Sequence, residues 1–130
     1  MSSIFTKILN REISGHIVAE NSDFIAFLDI NPLAMGHTLV VPKKEVGYIF
    51  DLEDTMYTEL HLFAKKVAIA IKGAIPCLRV GVAVIGLEVP HTHIHLIPLN
   101  TMDDINFSRP KMHPSQQELE EIADKIKSKL

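Results

Sequence analysis

The stretch Val-Pro-His-Thr-His-Ile-His-Leu-Ile-Pro places His91, His93 and His95 at alternate positions. Residues two apart in an extended strand point to the same face of a sheet. The spacing therefore predicts a strand with three imidazoles along one wall, neighbouring rings roughly 7 Å apart and out of direct ring contact. The plain structural interpretation is a half-buried strand in which histidine only fills polar positions. Histidine is not a strong strand former, however, and three in register favour a shared ligand, either a phosphate or a metal ion.

Length, charge and cysteine content limit the class of protein. The chain has 130 residues, enough for one domain with its own core. Its 13 basic and 16 acidic residues provide no basic footprint for nucleic acid, so we expect a small charged ligand instead. The apolar runs are too short to span a membrane, so we expect no membrane partner. A single cysteine, Cys77, and a start without a long apolar run predict a cytoplasmic protein.

Hydrophobic periodicity predicts an α+β fold around a mainly antiparallel sheet of about five strands, with a central and a C-terminal helix. We expect one domain over residues 1–130, with its core motifs in residues 4–98 and a helical extension in residues 114–130. The expected elements, in chain order, are a short helix capped by Ser2 or Ser3 and ending at Asn10, strands at 16–20, 24–29 and 38–41, a helix at 53–72, a strand at 79–85, the histidine strand, and a helix that Ser115 and Glu118 begin as a capping box.

The apolar stripe of the central helix is unusually wide. Leu62 and Ile69 lie beside the main three- and four-residue repeat. Such a stripe indicates burial on more than one side, either in the packing against the sheet or against another subunit. A homodimer is therefore plausible from the sequence.

Two kinds of chemistry fit the histidines. A neutral imidazole is a nucleophile near pH 7 that can accept a phosphoryl or nucleotidyl group and pass it to water, with its neighbours as hydrogen-bond and proton donors. No cofactor is needed for this scheme. Alternatively, two or three of them could hold Zn²⁺ with an open water position, with Glu88 as the only acidic residue close in sequence. The residues alone leave both schemes open.

Three motifs occur together in this chain: Phe-Leu-Asp-Ile-Asn-Pro at 27–32, Gly-His-Thr-Leu-Val-Val-Pro-Lys at 36–43, and Glu-Val-Pro-His-Thr-His-Ile-His-Leu at 88–96. In content, order and spacing they resemble the histidine triad (HIT) family of nucleotide hydrolases and transferases. The resemblance implies a homodimeric α+β domain that binds purine nucleotides. It also implies cleavage at the α-phosphate through a covalent nucleotidyl-histidine.

The resemblance also assigns roles to individual residues. The family's nucleophile is the middle histidine of the triad, which is His93 here; His91 and His95 flank it, and His37 matches the histidine of the second motif. Asp29 matches the aspartate that accepts hydrogen bonds from both ribose hydroxyls, and a carboxylate has lone pairs for two such donors. The apolar positions around the base correspond to Phe5, Ile8, Phe27 and Ile30.

The chain also departs from the family pattern. Many bacterial relatives carry a zinc site built from two cysteines and two histidines, and Ser3, Thr6 and Glu45 stand where three of those ligands are expected. We therefore predict no metal site. In the loop before the triad, Leu87 stands where an amide side chain is expected, and losing such a donor can lower a rate by about 10² to 10³.

The leading hypothesis is a nucleotide hydrolase or transferase acting on a purine nucleoside phosphoramidate or a dinucleoside polyphosphate. One alternative is a nucleotide-binding dimer with little catalysis, which the altered loop before the triad suggests. The other is a metal-dependent hydrolase.

Overall fold

The computed structural model describes residues 4–10 and 15–130. Its helices are α1 (Ile4–Leu9), α2 (Asp54–Ala74) and α3 (Gln116–Lys127), and its strands are β1 (Ile17–Glu20), β2 (Phe24–Leu28), β3 (Thr38–Pro42), β4 (Arg79–Ala83) and β5 (Ile94–Leu99). Short 3-10 turns occupy Ile49–Asp51 and Met102–Ile105. The predicted cap at Ser2 or Ser3 lies outside the described residues.

The strands form one antiparallel five-stranded sheet in the order β1-β2-β3-β5-β4. The predicted α+β fold is confirmed. Within the described part of the chain, β1 and β4 are the edge strands. The strand that carries the last histidine of the triad, β5, lies between β3 and β4, so its neighbours hold it on both sides.

Each face of the sheet has its own apolar cluster. Residues directly opposite each other in an antiparallel ladder project to the same face. Leu39 lies opposite both Phe27 and His95, so these three side chains share a face, and α1 packs there. The alternate residues, such as Val40 and Ile94, pack on the other face with α2 and α3. Among the described helices, α1 is the one that packs on the histidine face.

The ends of two elements follow from local chemistry. The Ser115 side chain accepts a hydrogen bond from the Glu118 backbone N–H at 3.1 Å, and Glu118 returns one to the Ser115 N–H, which confirms the predicted capping box. Before β3, Gly36 has φ of 98°, a conformation that favours glycine, and it turns the chain directly into His37. No helix within residues 4–10 and 15–130 is both long and apolar enough to cross a membrane.

Packing against the sheet buries one part of the wide apolar stripe of α2 and leaves another part exposed. Leu60, Val67 and Ile71 are buried in the cluster beneath the helix. Leu62 and Ile69, in contrast, are 59% and 63% exposed. Of the two explanations for the stripe, packing within the chain therefore does not account for these two residues.

Candidate active site

Four histidines converge on one face of the sheet. His95 is in β5, His91 lies at a bend, His93 lies in the short irregular stretch between that bend and β5, and His37 immediately precedes β3. All four are buried. The sequence correctly predicts that they lie together, but only the last residue of the triad is inside the sheet ladder.

The rings are closer than the strand spacing predicts. The ring centroids of His93 and His95 are 4.8 Å apart at an interplanar angle of 63°, and those of His37 and His95 are 5.2 Å apart. The prediction that neighbouring rings stay out of contact is therefore wrong. The strand spacing fixes where the Cβ atoms lie, whereas the side-chain rotamers decide how far the rings lean toward each other.

Hydrogen bonds fix the tautomer of His37 and of His95. The backbone N–H of Leu33 donates to Nδ1 of His37 at 3.1 Å, so this nitrogen holds a lone pair. A neutral His37 then carries its hydrogen on Nε2, which lies 3.0 Å from Nδ1 of His95. Since Nδ1 of His95 accepts, a neutral His95 carries its hydrogen on Nε2. A backbone amide thus sets the orientation of two consecutive imidazoles.

The other two histidines are oriented by backbone carbonyls. Nδ1 of His93 lies 2.7 Å from the carbonyl oxygen of His91, and a carbonyl can only accept, so Nδ1 carries the hydrogen. In the neutral ring the lone pair of His93 is therefore on Nε2. Nε2 of His91 donates in the same way to the carbonyl oxygen of Pro42 at 2.7 Å.

Burial keeps His37, His93 and His95 neutral. It lowers the pKa of His37 to about 3, and the neighbouring His95 adds to this effect. Burial, followed by the neighbouring His93, lowers the pKa of His95 to about 4. The pKa of His93 is also lowered by burial, although its hydrogen bond to the His91 carbonyl opposes the shift. A neutral imidazole with a lone pair on Nε2 is the nucleophilic form of histidine.

These shifts predict that acid begins to destabilise the fold below about pH 6.5. Histidine in the unfolded chain takes up a proton near pH 6.5, whereas folded His37 and His95 do so only near pH 3 and 4. The unfolded state therefore binds more protons in this window, and stability falls as the pH drops below about 6.5, by up to about 1.4 kcal/mol per pH unit for each group. Urea unfolding midpoints at about pH 7.5 and about pH 5 measure this loss.

A matched variant for that measurement is His113→Gln, because His113 is an exposed histidine outside the buried cluster. We expect it to retain the full pH dependence of the wild type. An unfolding midpoint that stays constant from about pH 7.5 to about pH 5 would contradict the prediction.

Asp29 lies beside this cluster, directly after β2. The backbone N–H of Asn31 donates to its Oδ1 at 2.9 Å, and its Oδ2 is 3.8 Å from Nε2 of His37. Burial raises the pKa of this carboxyl, and the hydrogen bond from Asn31 partly offsets the rise. The carboxylate is thus held at the edge of the histidine cluster.

An apolar wall adjoins the triad on the side of α1. Phe5 contacts Phe27, with ring centroids 5.4 Å apart, and also His91 and His93, at 5.8 and 4.9 Å. Ile8 is buried in the same cluster. Three of the four predicted base-contacting residues are therefore brought together. The fourth, Ile30, is 49% exposed and follows Asp29 at the rim.

The side chains at the relatives' zinc positions do not suit zinc. Thr6 Oγ1 donates to Glu45 Oε2 at 3.2 Å, so these two positions are adjacent as the resemblance implies, while Ser3 lies outside the described residues. A hydroxyl and a carboxylate replace two of the usual nitrogen or sulfur ligands. Nε2 of His91 is already donating to Pro42.

A second group of possible ligands lies inside the site. One ligand atom each from Asp29, His37 and His95 lies within 4.8 Å of the other two. The sequence did not single out this combination as a metal site. The residues come from the end of β2, the start of β3 and β5, so only the fold brings them together.

Sequence reasoning missed one aromatic residue of the site. The Phe107 ring lies at 4.9 Å and 77° from that of His95, and at 6.4 Å from that of His37. It belongs to an irregular segment between β5 and α3. The available signal was a single aromatic residue in an otherwise polar stretch, Asn-Phe-Ser-Arg-Pro, which carries no periodicity.

This chain is similar to known proteins over most of its length. The HIT domain family model matches residues 10–102. A HIT-like protein of Borreliella burgdorferi is 34% identical over 131 residues, covering 95% of this chain and 94% of that protein. An adenosine 5'-monophosphoramidase of Schizosaccharomyces pombe is 32% identical over 132 residues, covering 100% and 99%. The crystal structure of a Hit-like protein of Bartonella henselae superposes with a TM-score of 0.86 at 32% identity, covering 99% of this chain and 96% of that one.

The family match, the full-length relatives and the shared fold are mutually consistent. This chain belongs to the HIT family.

Proposed function

We propose that this protein is a nucleotide hydrolase or transferase in which Nε2 of His93 attacks the α-phosphorus of a purine nucleoside phosphoramidate or dinucleoside polyphosphate. The observation that carries the proposal is the hydrogen bond between Nδ1 of His93 and the His91 carbonyl, since it leaves the lone pair on Nε2. The relative from S. pombe, named an adenosine 5'-monophosphoramidase, supports a hydrolase of this kind.

The remaining residues fit the steps of this reaction. The purine packs against Phe5, Ile8 and Phe27, with Ile30 at the rim, and Asp29 accepts hydrogen bonds from the ribose hydroxyls. The His95 Nε2–H donates to a phosphate oxygen, and His37 holds it in that orientation. His91, bonded to Pro42, positions the strand segment.

The reaction consists of two displacements at the α-phosphorus. In the first, the bond from His93 Nε2 to phosphorus forms while the bond from phosphorus to the leaving nitrogen or oxygen breaks, and the leaving group departs with a proton taken from solvent. In the second, water attacks phosphorus and gives up a proton to solvent, the bond to His93 breaks, and the nucleoside monophosphate leaves. Transfer to another acceptor replaces water by that acceptor.

Trapping the intermediate tests this scheme. The protein is mixed with adenosine 5'-phosphoramidate or diadenosine triphosphate, quenched without acid and analysed by mass spectrometry. We expect one added adenylyl group, mapped to His93. Substrate turnover without an adduct at any time, or an adduct on another residue, would contradict the proposal.

The alternative of a metal-dependent hydrolase has one observation in its favour, the grouping of Asp29, His37 and His95. The hydrogen bond from the Leu33 N–H to Nδ1 of His37 argues against it, because it places a hydrogen on the Nε2 that would have to bind the metal. A metal-dependent enzyme would contain stoichiometric metal and lose its activity to a chelator. We expect turnover to be insensitive to chelation.

The alternative of a binding dimer with little catalysis rests on the loop before the triad. Leu87 is 89% exposed and Glu88 is also exposed, so neither side chain is packed in the site. Nucleotide affinity without turnover of any phosphoramidate or dinucleoside polyphosphate would favour this alternative.

We also propose that the protein is a cytoplasmic homodimer. Its single cysteine, Cys77, supports a reducing compartment. The dimer surface lies where the edge strand β4 adjoins α2, since an unpaired strand edge next to exposed apolar side chains is suited to a second copy. The most exposed of these side chains are Leu62, Ile69, Leu78 and Val82.

Replacing Ile69 by glutamate is expected to shift the protein from dimer to monomer, because it places a charge in the centre of this apolar surface. Light scattering should give twice 14.5 kDa for the wild type and 14.5 kDa for Ile69→Glu. Met102→Glu, at an exposed residue in the 3-10 turn after β5, serves as the control and should remain dimeric. A monomeric wild type would contradict the prediction.

A further inference from the structure

Residues 106–113, which we call the crossing segment, run from the 3-10 turn after β5 toward α3 and lie beside the loop at residues 29–33 that carries Asp29. The HIT family model ends at residue 102, before this segment begins. The segment is nevertheless part of the site, because Phe107 packs edge-on against His95.

Arg109 fastens the first half of the crossing segment. Its guanidinium donates to the Leu33 carbonyl, in the same loop that fixes the His37 tautomer. It also donates to Asp103 at 3.2 Å and to Asp104 at 3.3 Å. The positive charge of Arg109 is thus neutralised by two carboxylates and serves to hold the backbone.

Hydrogen bonds also hold the second half of the segment, at the residues that follow Lys111. The backbone N–H of Met112 donates to the Pro32 carbonyl at 2.9 Å. Nδ1 of His113 lies 3.1 Å from Oδ1 of Asn31. Lys111 is therefore held beside the loop that carries Asp29, although its own side chain is exposed.

The charge of Lys111 acts on the site. It lowers the pKa values of Asp29, His37 and His95, although burial is the largest influence on each. Within residues 4–10 and 15–130 Lys111 forms no ion pair. Its ammonium group is thus available to an anionic ligand at this site.

The site needs such a cation. His37, His93 and His95 are neutral, and the two carboxylates that act on His93 are Asp29 and Glu88. These two carboxylates would repel a phosphate bound at His93. The loop before the triad places Leu87 in solvent and brings no amide side chain to offset that repulsion.

We infer that Lys111 is a specificity-determining residue that binds the phosphate of the nucleotide. The crossing segment holds Lys111 at the site. This inference rests on the proposed function and deepens it. The protein then selects nucleotides by the charge of the phosphate group and discriminates against uncharged nucleosides with the same base and sugar.

Calorimetric titration of adenosine and of AMP, into the wild type and Lys111→Met, tests the inference. We expect the variant to bind AMP about 10-fold more weakly, the loss of one charged hydrogen bond. Adenosine affinity should remain unchanged. Lys111→Arg should keep AMP affinity close to that of the wild type, since it keeps the charge. Added salt should weaken AMP binding by the wild type more than by Lys111→Met.

Lys125→Met is the matched control. It removes the same charge from an exposed position on α3, which packs on the opposite face of the sheet from His95. It should bind both ligands as the wild type does. Equal AMP affinities in the wild type and Lys111→Met would overturn the inference while leaving the proposed function intact, and so would equal losses for AMP and adenosine. A wild type that binds neither ligand would overturn both.

Discussion

Replacing His93 with alanine is expected to lower kcat/KM for adenosine 5'-phosphoramidate by at least about 10⁴-fold, because the variant has no group to form the covalent intermediate. The fold should survive, since the ring is one of several side chains in a cluster and its hydrogen bond goes to a neighbouring carbonyl. Steady-state rates together with thermal unfolding measure both outcomes.

His16→Ala is the control for this variant, because it removes an imidazole that contacts Gln116 of α3 rather than the triad. It should retain nearly full activity. If His93→Ala turned over substrate at more than about a hundredth of the wild-type rate, His93 would not be the nucleophile.

Replacing His37 with alanine is expected to reduce kcat by about 10² to 10³, a loss comparable to that of one transition-state donor. His37 is buried behind His95 and acts through it: without the Nε2–H of His37, the His95 ring can turn or change tautomer. KM should change much less than kcat. The variant should also lose about 1 to 3 kcal/mol of stability, because the Leu33 N–H loses its acceptor.

His37→Gln separates positioning from packing. A glutamine amide can donate to Nδ1 of His95 from the place that Nε2 occupies, so this variant should recover part of the lost kcat. Equal kcat values for His37→Ala and the wild type would show that His95 keeps its orientation unaided. A recovery of stability without any recovery of kcat would also contradict the positioning role.

The sequence predicts the elements of this molecule that have a helical period, a β-forming run between turn residues, or a known cap. Runs of β-forming residues bounded by turns and the three- and four-residue spacing of α2 predict the five strands and the main helices, and Ser115 with Glu118 marks the start of α3. Motif resemblance adds that Asp29 and His37 share a site with the triad. In the structure, Oδ2 of Asp29 lies 3.8 Å from Nε2 of His37.

Other features depend on contacts that no local pattern encodes. The ring contact between His93 and His95 depends on rotamers, and the tautomer of His37 depends on the backbone amide of Leu33. Phe107 and Lys111 belong to an irregular segment, where neither helical nor strand periodicity applies. Sequence reasoning therefore finds the candidate reacting groups more readily than the groups that orient them.

In this site the protonation pattern is set by the main chain. The His91 and Pro42 carbonyls and the Leu33 amide each determine which nitrogen of an imidazole bears hydrogen. Peptide groups persist when side chains are exchanged, so a new side chain at position 33 or 42 leaves these hydrogen bonds in place, with one exception. Proline at position 33 has no amide hydrogen, and it would free His37 and His95 to exchange their roles as donor and acceptor.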